Sequence, residues 1–341
     1  MKVNRQFETK DKEFNATYTL GHKLDDSLGF MDTVNIDKIL KEDYSVALVL
    51  MYEAIKQERV LESDLAKVIN KNAKSISKVN VYLITDWLRT VLTLGKPIHD
   101  MFMQCSELIG EMFPDLKACI GFDIHSEHHE HTVYEHMLYV TDKCETTKFG
   151  IKLAALFHDV GKPNVFTMVD GAGRTFGHPR ESAEIARKAF DFYIKISKDE
   201  NKYITELIML HDKFIVPTDR SIRKVLRQYG VGFLDDYCVL KKADILDHIN
   251  VGGVWKNYDM DKLRKRIHEL DIDNKKLTIN DISINASSIC SEIGVDENTA
   301  NTIMQKLLGC IINGQVKNKR QDLLDTAGSI YCKLSSAKKI R

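Results

Sequence analysis

The chain has 341 residues, 43% of them hydrophobic and 29% charged, enough to bury sizeable cores in two or three domains. Its 49 basic residues balance its 49 acidic ones, which excludes a wholly basic nucleic-acid binder and leaves only local blocks for contact with phosphates. No apolar run approaches the roughly 18 residues of a membrane span, and the opening MKVNRQFETKDKEF lacks the apolar core of a signal peptide, so a cytoplasmic protein without a membrane partner is expected.

Only 5 Pro and 18 Gly interrupt the chain, so its long amphipathic stretches predict an all-α protein. Seven cysteines at 105, 119, 144, 238, 290, 310 and 332 are scattered without C-x-x-C spacing and read as small core residues. In chain order, helices are predicted over 45–57, over 61–78 with Ser63 as N-cap, and over 79–94, where Gly95 and Pro97 break the pattern. From Thr132 to Cys144, Val133, Met137 and Val140 recur at helical spacing and set His136 beside the buried face. The next helix, 149–160, is apolar nearly all round and ends on His158 and Asp159, before Gly161 and Pro163. A Gly-rich loop over 169–177 leads to His178 and a helix over 181–196. Helices over 203–210 and 233–246 then deliver His211 and Asp244. A charged stretch over 256–276 and short helical patterns over 277–335 follow. The expected domains are a helical region over 1–100, a central domain over 101–252 and a C-terminal helical module over 253–341.

His136, His158, Asp159, His178, His211 and Asp244 form a set of imidazoles and carboxylates suited to divalent metals. Two ions sharing a bridging carboxylate need about five or six such ligands. Asp159 is the candidate bridge, with His136, His158 and Asp244 on one ion and His178 and His211 on the other. The chemistry expected is metal-assisted attack of water on phosphorus, without a side-chain nucleophile. Lys162 follows at short reach and is placed to meet a phosphate oxygen. One or two ions of Mn, Fe, Co, Ni or Zn suit this donor set, with Mg also open. A lone buried His is more often a core residue than a ligand, but an ordered set ending on His-Asp-x-Gly-Lys is a poor match to chance. The cluster His125, His128, His129 and His131 has no cysteine nearby and reads as a loop at the cavity mouth, with His129 its candidate substrate contact. Arg223, Lys224 and Arg227 form a candidate phosphate-binding block, set against the plainer reading of a solvated helix face.

The segments DLKACIGFDIHSEHHEHTVYEHMLYV, LAALFHDVGKP, FGHPRESAEIA, LIMLHD and KKADILDH resemble the HD domain of bacterial CCA-adding enzymes, the tRNA nucleotidyltransferases. Upstream, LAKVINKNAKSISKVNVYLITDWLRTVLTLGKP is similar to that family's neck and body. Downstream, residues 277–324 are similar to its tail, so the resemblance covers most of the chain from about residue 42, with traces at EFNATY. It implies an HD-domain helical core flanked by neck/body-like and tail-like modules.

The chain also departs from the pattern. The family's Asp-x-Asp pair after a glycine turn is missing, and Val46 and Val49 stand where its template motif has arginines. The tail motif Ile-Asn-Gly-x-Asp-Leu reads Ile284-Asn285-Ala286-Ser287-Ser288-Ile289. The resemblance therefore implies a relative that lacks nucleotide addition and keeps the hydrolase, acting on 2',3'-cyclic or terminal ribose phosphates of nucleotides or RNA. Two readings stand beside it: a phosphodiesterase of signalling cyclic nucleotides or a nucleotide hydrolase, and a non-catalytic RNA- or tRNA-binding protein with a structural metal. Oligomer formation is left open.

Overall fold

A computed structural model describes residues 33–125, 131–247, 258–276 and 278–338. His128, His129 and the EFNATY segment lie outside the described residues. Helices dominate, and a single two-stranded hairpin is present among the described residues, in keeping with the all-α expectation. The chain folds as two compact units, Met1–Asp212 with Val239–Tyr258, and Lys213–Cys238 with Asp259–Arg341.

The first unit opens with α1 (Thr33–Glu42), α2 (Ser45–Lys56), α3 (Ser63–Lys71) and α4 (Val81–Thr93). Residues 61–78 are two pieces, because the chain turns at Asn72 before a 3-10 helix, Ala73–Lys78. Ser63 is the first residue of α3 and Glu62 occupies the cap, while Asn80 caps α4 by accepting from Tyr82 N–H. Short helices α5 (His99–Gln104), α6 (Ser106–Met112) and α7 (Pro114–Lys117) follow.

No seam separates these helices from the next ones. Trp87 is fully buried, donates to the Leu48 carbonyl at 2.8 Å and stacks on Phe102 with centroids 5.9 Å apart. Arg89 of α4 pairs with Glu200 at 3.0 Å. Apolar faces on both sides of residue 100 thus share one core.

The helices that carry the metal-ligand candidates are α8 (Val133–Lys143), α9 (Phe149–Phe157), α11 (His178–Phe192), α12 (Lys198–Leu210) and α14 (Val231–Asp247), with the short α10 (Lys162–Val165) between α9 and the hairpin. Capping boxes start α8 at Thr132/Glu135 and α12 at Ser197/Glu200, so α12 begins before Tyr203. Residues 169–177 are not a plain loop. Strands β1 (Thr167–Val169) and β2 (Ala172–Arg174) pair antiparallel through Asp170 and Gly171, whose φ values of 51° and 80° suit a tight two-residue hairpin turn.

In the second unit, α13 (Asp219–Tyr229) and α15 (Met260–Lys276) are tied by Arg266 to Asp219 at 2.6 Å, and Arg264 holds Asp235 of α14 at 2.9 Å. These ties explain why residues 213–238 group with the C-terminal part of the chain. Helices α16 (Ala286–Ile289), α17 (Glu297–Ile312) and α18 (Arg320–Lys338) enclose a core that includes Ile289, Ile303, Leu307 and Leu323. Cys105, Cys119, Cys144 and Cys238 are buried, whereas Cys332 is exposed. Among the described residues no helix is long and apolar enough to cross a membrane.

Candidate metal centre

His158 is the residue at which α9 ends, and the apolar run before it, Leu153 to Phe157, is buried, so the chain leaves the helix inside the core. Gly161 keeps the following turn tight. Its φ is −85°, so no left-handed conformation requires glycine; a Cβ there would lie 2.5 Å from the Ser182 backbone nitrogen and 2.9 Å from the Glu181 carbonyl carbon. Gly161 N–H donates to Ser182 Oγ at 2.9 Å, which seats the turn on α11. His178 opens α11 directly after Gly177, and His211 closes α12.

Asp159 lies at the centre. Its Oδ2 is 3.3 Å from both His136 Nε2 and His158 Nε2, and its Oδ1 is 3.2 Å from His178 Nε2 and 3.5 Å from His211 Nε2. The imidazoles pair off around it, His136 to His158 at 3.1 Å and His178 to His211 at 3.2 Å between Nε2 atoms. Asp244 Oδ1 is 3.5 Å from His136 Nε2 and 4.0 Å from His158 Nε2. Two triads result, His136–His158–Asp159 and Asp159–His178–His211, whose donor atoms are close enough to hold one ion each. His178 is the most exposed of the four histidines, with 12% of its side chain accessible.

The hydrogen bonds on the far side of each ring fix its tautomer. His158 Nδ1 donates to the Ala155 carbonyl at 2.7 Å, His178 Nδ1 to Thr175 at 2.9 Å and His211 Nδ1 to Ile208 at 2.6 Å. A carbonyl only accepts, so Nδ1 carries the proton and Nε2 presents a lone pair to Asp159. Burial pushes His158 below the ordinary imidazole range and His178 down to about 4, overcoming the pull of Asp159, so both rings stand neutral as ligands must. Burial also acts against ionised Asp159, but its carboxyl lies well below the usual range, with the Lys162 ammonium on its Oδ2. For His136 burial is outweighed by Asp244 and Asp247, which raise it to about 9.

Asp159 Oδ1 is buried and has no hydrogen-bond donor. An anionic oxygen facing two imidazole lone pairs is a costly arrangement without a cation between them. The chemistry of the donor set therefore fits a divalent ion.

Lys162 places its ammonium 2.5 Å from Asp159 Oδ2, so it is engaged by the carboxylate that joins the triads. Arg223, Lys224 and Arg227 belong to α13 in the second unit, where Arg223 donates to the Ile312 carbonyl at 3.4 Å. His131 stacks on Tyr139, with centroids 4.4 Å apart, and its Nε2 is 4.0 Å from Asp247 Oδ1. Val46 and Val49 both lie on α2.

Two participants were missed in the sequence. Asp247 accepts from His136 Nδ1 at 2.8 Å, and the fully buried Lys241 holds Asp244 Oδ2 at 2.9 Å. Both are one helical turn from Asp244, at i+3 and i−3, and that spacing was the available signal.

Comparison with known proteins agrees with this geometry. Residues 133–249 match the HD domain family, which is generally one of metal-dependent phosphohydrolases. A CC-adding tRNA nucleotidyltransferase of Thermus thermophilus is 31% identical over 148 residues, covering 41% of this chain and 33% of the relative. The chain thus spans about a third of that relative's length. With the match beginning at the first residue of α8 and spanning all six ligand candidates, the chain carries an HD domain related to that of the CCA-adding enzymes.

Proposed function

We propose that the first unit is a phosphohydrolase that cleaves 2',3'-cyclic or terminal ribose phosphates of nucleotides or RNA. The observation that carries the reading is the buried Asp159 carboxylate, on which the Nε2 lone pairs of His158, His178 and His211 converge. His136, His158, Asp159 and Asp244 would hold one ion and Asp159, His178 and His211 the second. Bound there, divalent ions supply Lewis acidity toward a phosphoryl oxygen and toward water.

The chain's own groups do the remaining work. Asp159 links the triads through its two oxygens. The Ala155, Thr175 and Ile208 carbonyls hold three of the rings in one tautomer, so no proton has to be displaced from their Nε2, and Asp247 orients the fourth, His136. Lys162 offsets the charge of Asp159 and stands where an incoming phosphate oxygen would share its ammonium. His178, the more accessible ring, marks the side from which a substrate would enter.

The choice of ribose phosphates rests on the relationship to a tRNA-acting enzyme, which favours a nucleotide or RNA phosphate over an unrelated ester. The test is a panel of phosphate esters that includes 2',3'-cyclic nucleotides, 3',5'-cyclic nucleotides and nucleoside triphosphates, run with Mn, Co, Ni, Zn or Mg and with chelator. The expected outcome is metal-dependent opening of 2',3'-cyclic phosphates that is lost in Asp159→Ala. Turnover in chelator, or in that variant, would refute the reading, and turnover of 3',5'-cyclic substrates alone would move it to signalling nucleotides.

A further inference from the structure

Basic residues from three helices contribute to one concavity of the second unit. Arg227 of α13, Lys306 of α17 and Lys333 of α18 all line a cavity of about 620 Å³. The lining holds no carboxylate among the described residues, although the chain as a whole has as many acidic as basic groups. Among the described residues none of these three cations has an ion pair or a hydrogen bond, whereas Arg264, Arg266 and Arg320 of the same unit are each held by a carboxylate. An anion seated in the hollow would meet three exposed positive charges with no carboxylate of the lining to offset them.

The rest of the lining narrows the class of anion. Ile330 and Leu334 of α18 supply an apolar wall, and the side-chain amides of Asn313 and Gln315 offer both donors and acceptors. Pockets of roughly 300–1,000 Å³ with mainly apolar walls and a few convergent polar groups are those that take small organic ligands. A nucleic-acid strand is instead tracked by a long basic groove with aromatic platforms, and this lining holds no aromatic ring.

We propose that the second unit binds a small, multiply charged organic phosphate of nucleotide size, with its phosphates on Arg227, Lys306 and Lys333 and its less polar part against Ile330 and Leu334. The site belongs to a different unit from the metal centre and does not depend on the hydrolase reading. Of the block Arg223, Lys224 and Arg227, only Arg227 lines it.

The full-length chain is titrated calorimetrically with ADP and with inorganic pyrophosphate in excess chelator, which removes metal-dependent binding at the first unit. Saturable 1:1 binding of ADP is expected. The double variant Arg227→Ala/Lys306→Ala should weaken it by roughly tenfold or more, because two of the three positive charges that meet the phosphates are removed. Asp159→Ala and the exposed-lysine control Lys262→Ala should bind as the parent does. All four substituted side chains are removed from chains checked for an unchanged thermal transition. The proposal is overturned if ADP does not saturate, if the double variant binds as well as the parent, or if Asp159→Ala loses binding equally. It is also overturned if ADP fails while single-stranded RNA binds with affinity that grows with length, since the surface would then be reading a strand.

Discussion

Replacing Asp247 with alanine removes the group that orients His136. The bond to be lost is 2.8 Å long and joins a side chain that is 2% exposed to one that is 7% exposed, so water competes for it poorly. A hydrogen bond to a charged group of this kind contributes about 1.5–3 kcal/mol. Loss of such an outer partner of a metal-binding histidine typically lowers metal affinity by about 10–100-fold, or about 1.4–2.7 kcal/mol, so the two estimates agree. The loss should fall on the ion held by His136, His158 and Asp159, and the His178–His211 triad should keep its affinity because its rings are held by backbone carbonyls. Asp247→Asn keeps an acceptor oxygen and should fall between the parent and Asp247→Ala. Competition with a chromophoric chelator measures both affinities, and elemental analysis gives the stoichiometry. Unchanged affinity in Asp247→Ala would refute the reasoning. So would an equal loss at both triads, which would mean that the variant had disturbed the fold rather than one ring.

Gly161→Ala should destabilise the protein by about 1–3 kcal/mol, because the added carbon meets the α11 backbone rather than a yielding side chain; a denaturant midpoint equal to the parent's would contradict this. Lys241→Met leaves Asp244 buried without its ammonium, and removing one partner of a buried pair costs about 3–5 kcal/mol. That loss should be largest in chelator and smaller with saturating metal, measured by unfolding under both conditions; an equal loss in both would show that Asp244 does not share its charge with an ion. Metal at about 100 times its Kd should stabilise the parent by about 2.7 kcal/mol relative to chelated protein and do little for Asp159→Ala, and an identical response of the two would argue against Asp159 as a ligand. The valines at 46 and 49 predict that the chain does not extend tRNA with CMP or AMP, and labelled-nucleotide incorporation would overturn that expectation.

Much of the ligand set was legible because it rides on strong local patterns. The apolar run 149–157 ends on His158 and Asp159, and the 3.6-residue spacing of Val133, Met137 and Val140 puts His136 on an inward face. The structure gathers the four histidines around Asp159 and sets Asp244 beside His136 and His158. Asp247 and Lys241 were not found, because a polar residue that acts through a ligand has no pattern of its own beyond its helical offset. The division of the chain was also hard to read: the burial of Trp87 against Phe102 and the pairing of Arg266 with Asp219 are long-range events that leave no local mark. The Asp170–Gly171 hairpin had a recognisable turn signal, masked by strands only three residues long. The glycine at 161 was legible as an interruption but not for its reason, since a close approach by α11 depends on a segment twenty residues away in sequence.

The placement of the histidines at helix ends explains how so few residues define the site. The last carbonyls of a helix have no intrahelical donor and need one. His158 and His211 each close a helix and donate Nδ1–H to the carbonyl three residues back, Ala155 and Ile208, so each ring adds a donor to a carbonyl of its helix's last turn. That bond also fixes the ring plane and leaves Nε2 as the only free nitrogen, aimed at Asp159. His178 reaches the same result from the opposite end, holding the Thr175 carbonyl just before α11 begins. Only His136 lies within its helix, where carbonyls are already engaged, and it is the ring that needs a carboxylate, Asp247, to do what the backbone does for the others. A ligand fixed by the backbone requires only a correctly ended helix, and a ligand fixed by a side chain requires a second residue from another helix. The His136 end of the centre should therefore be the more sensitive to substitution, and the His178–His211 end the more tolerant.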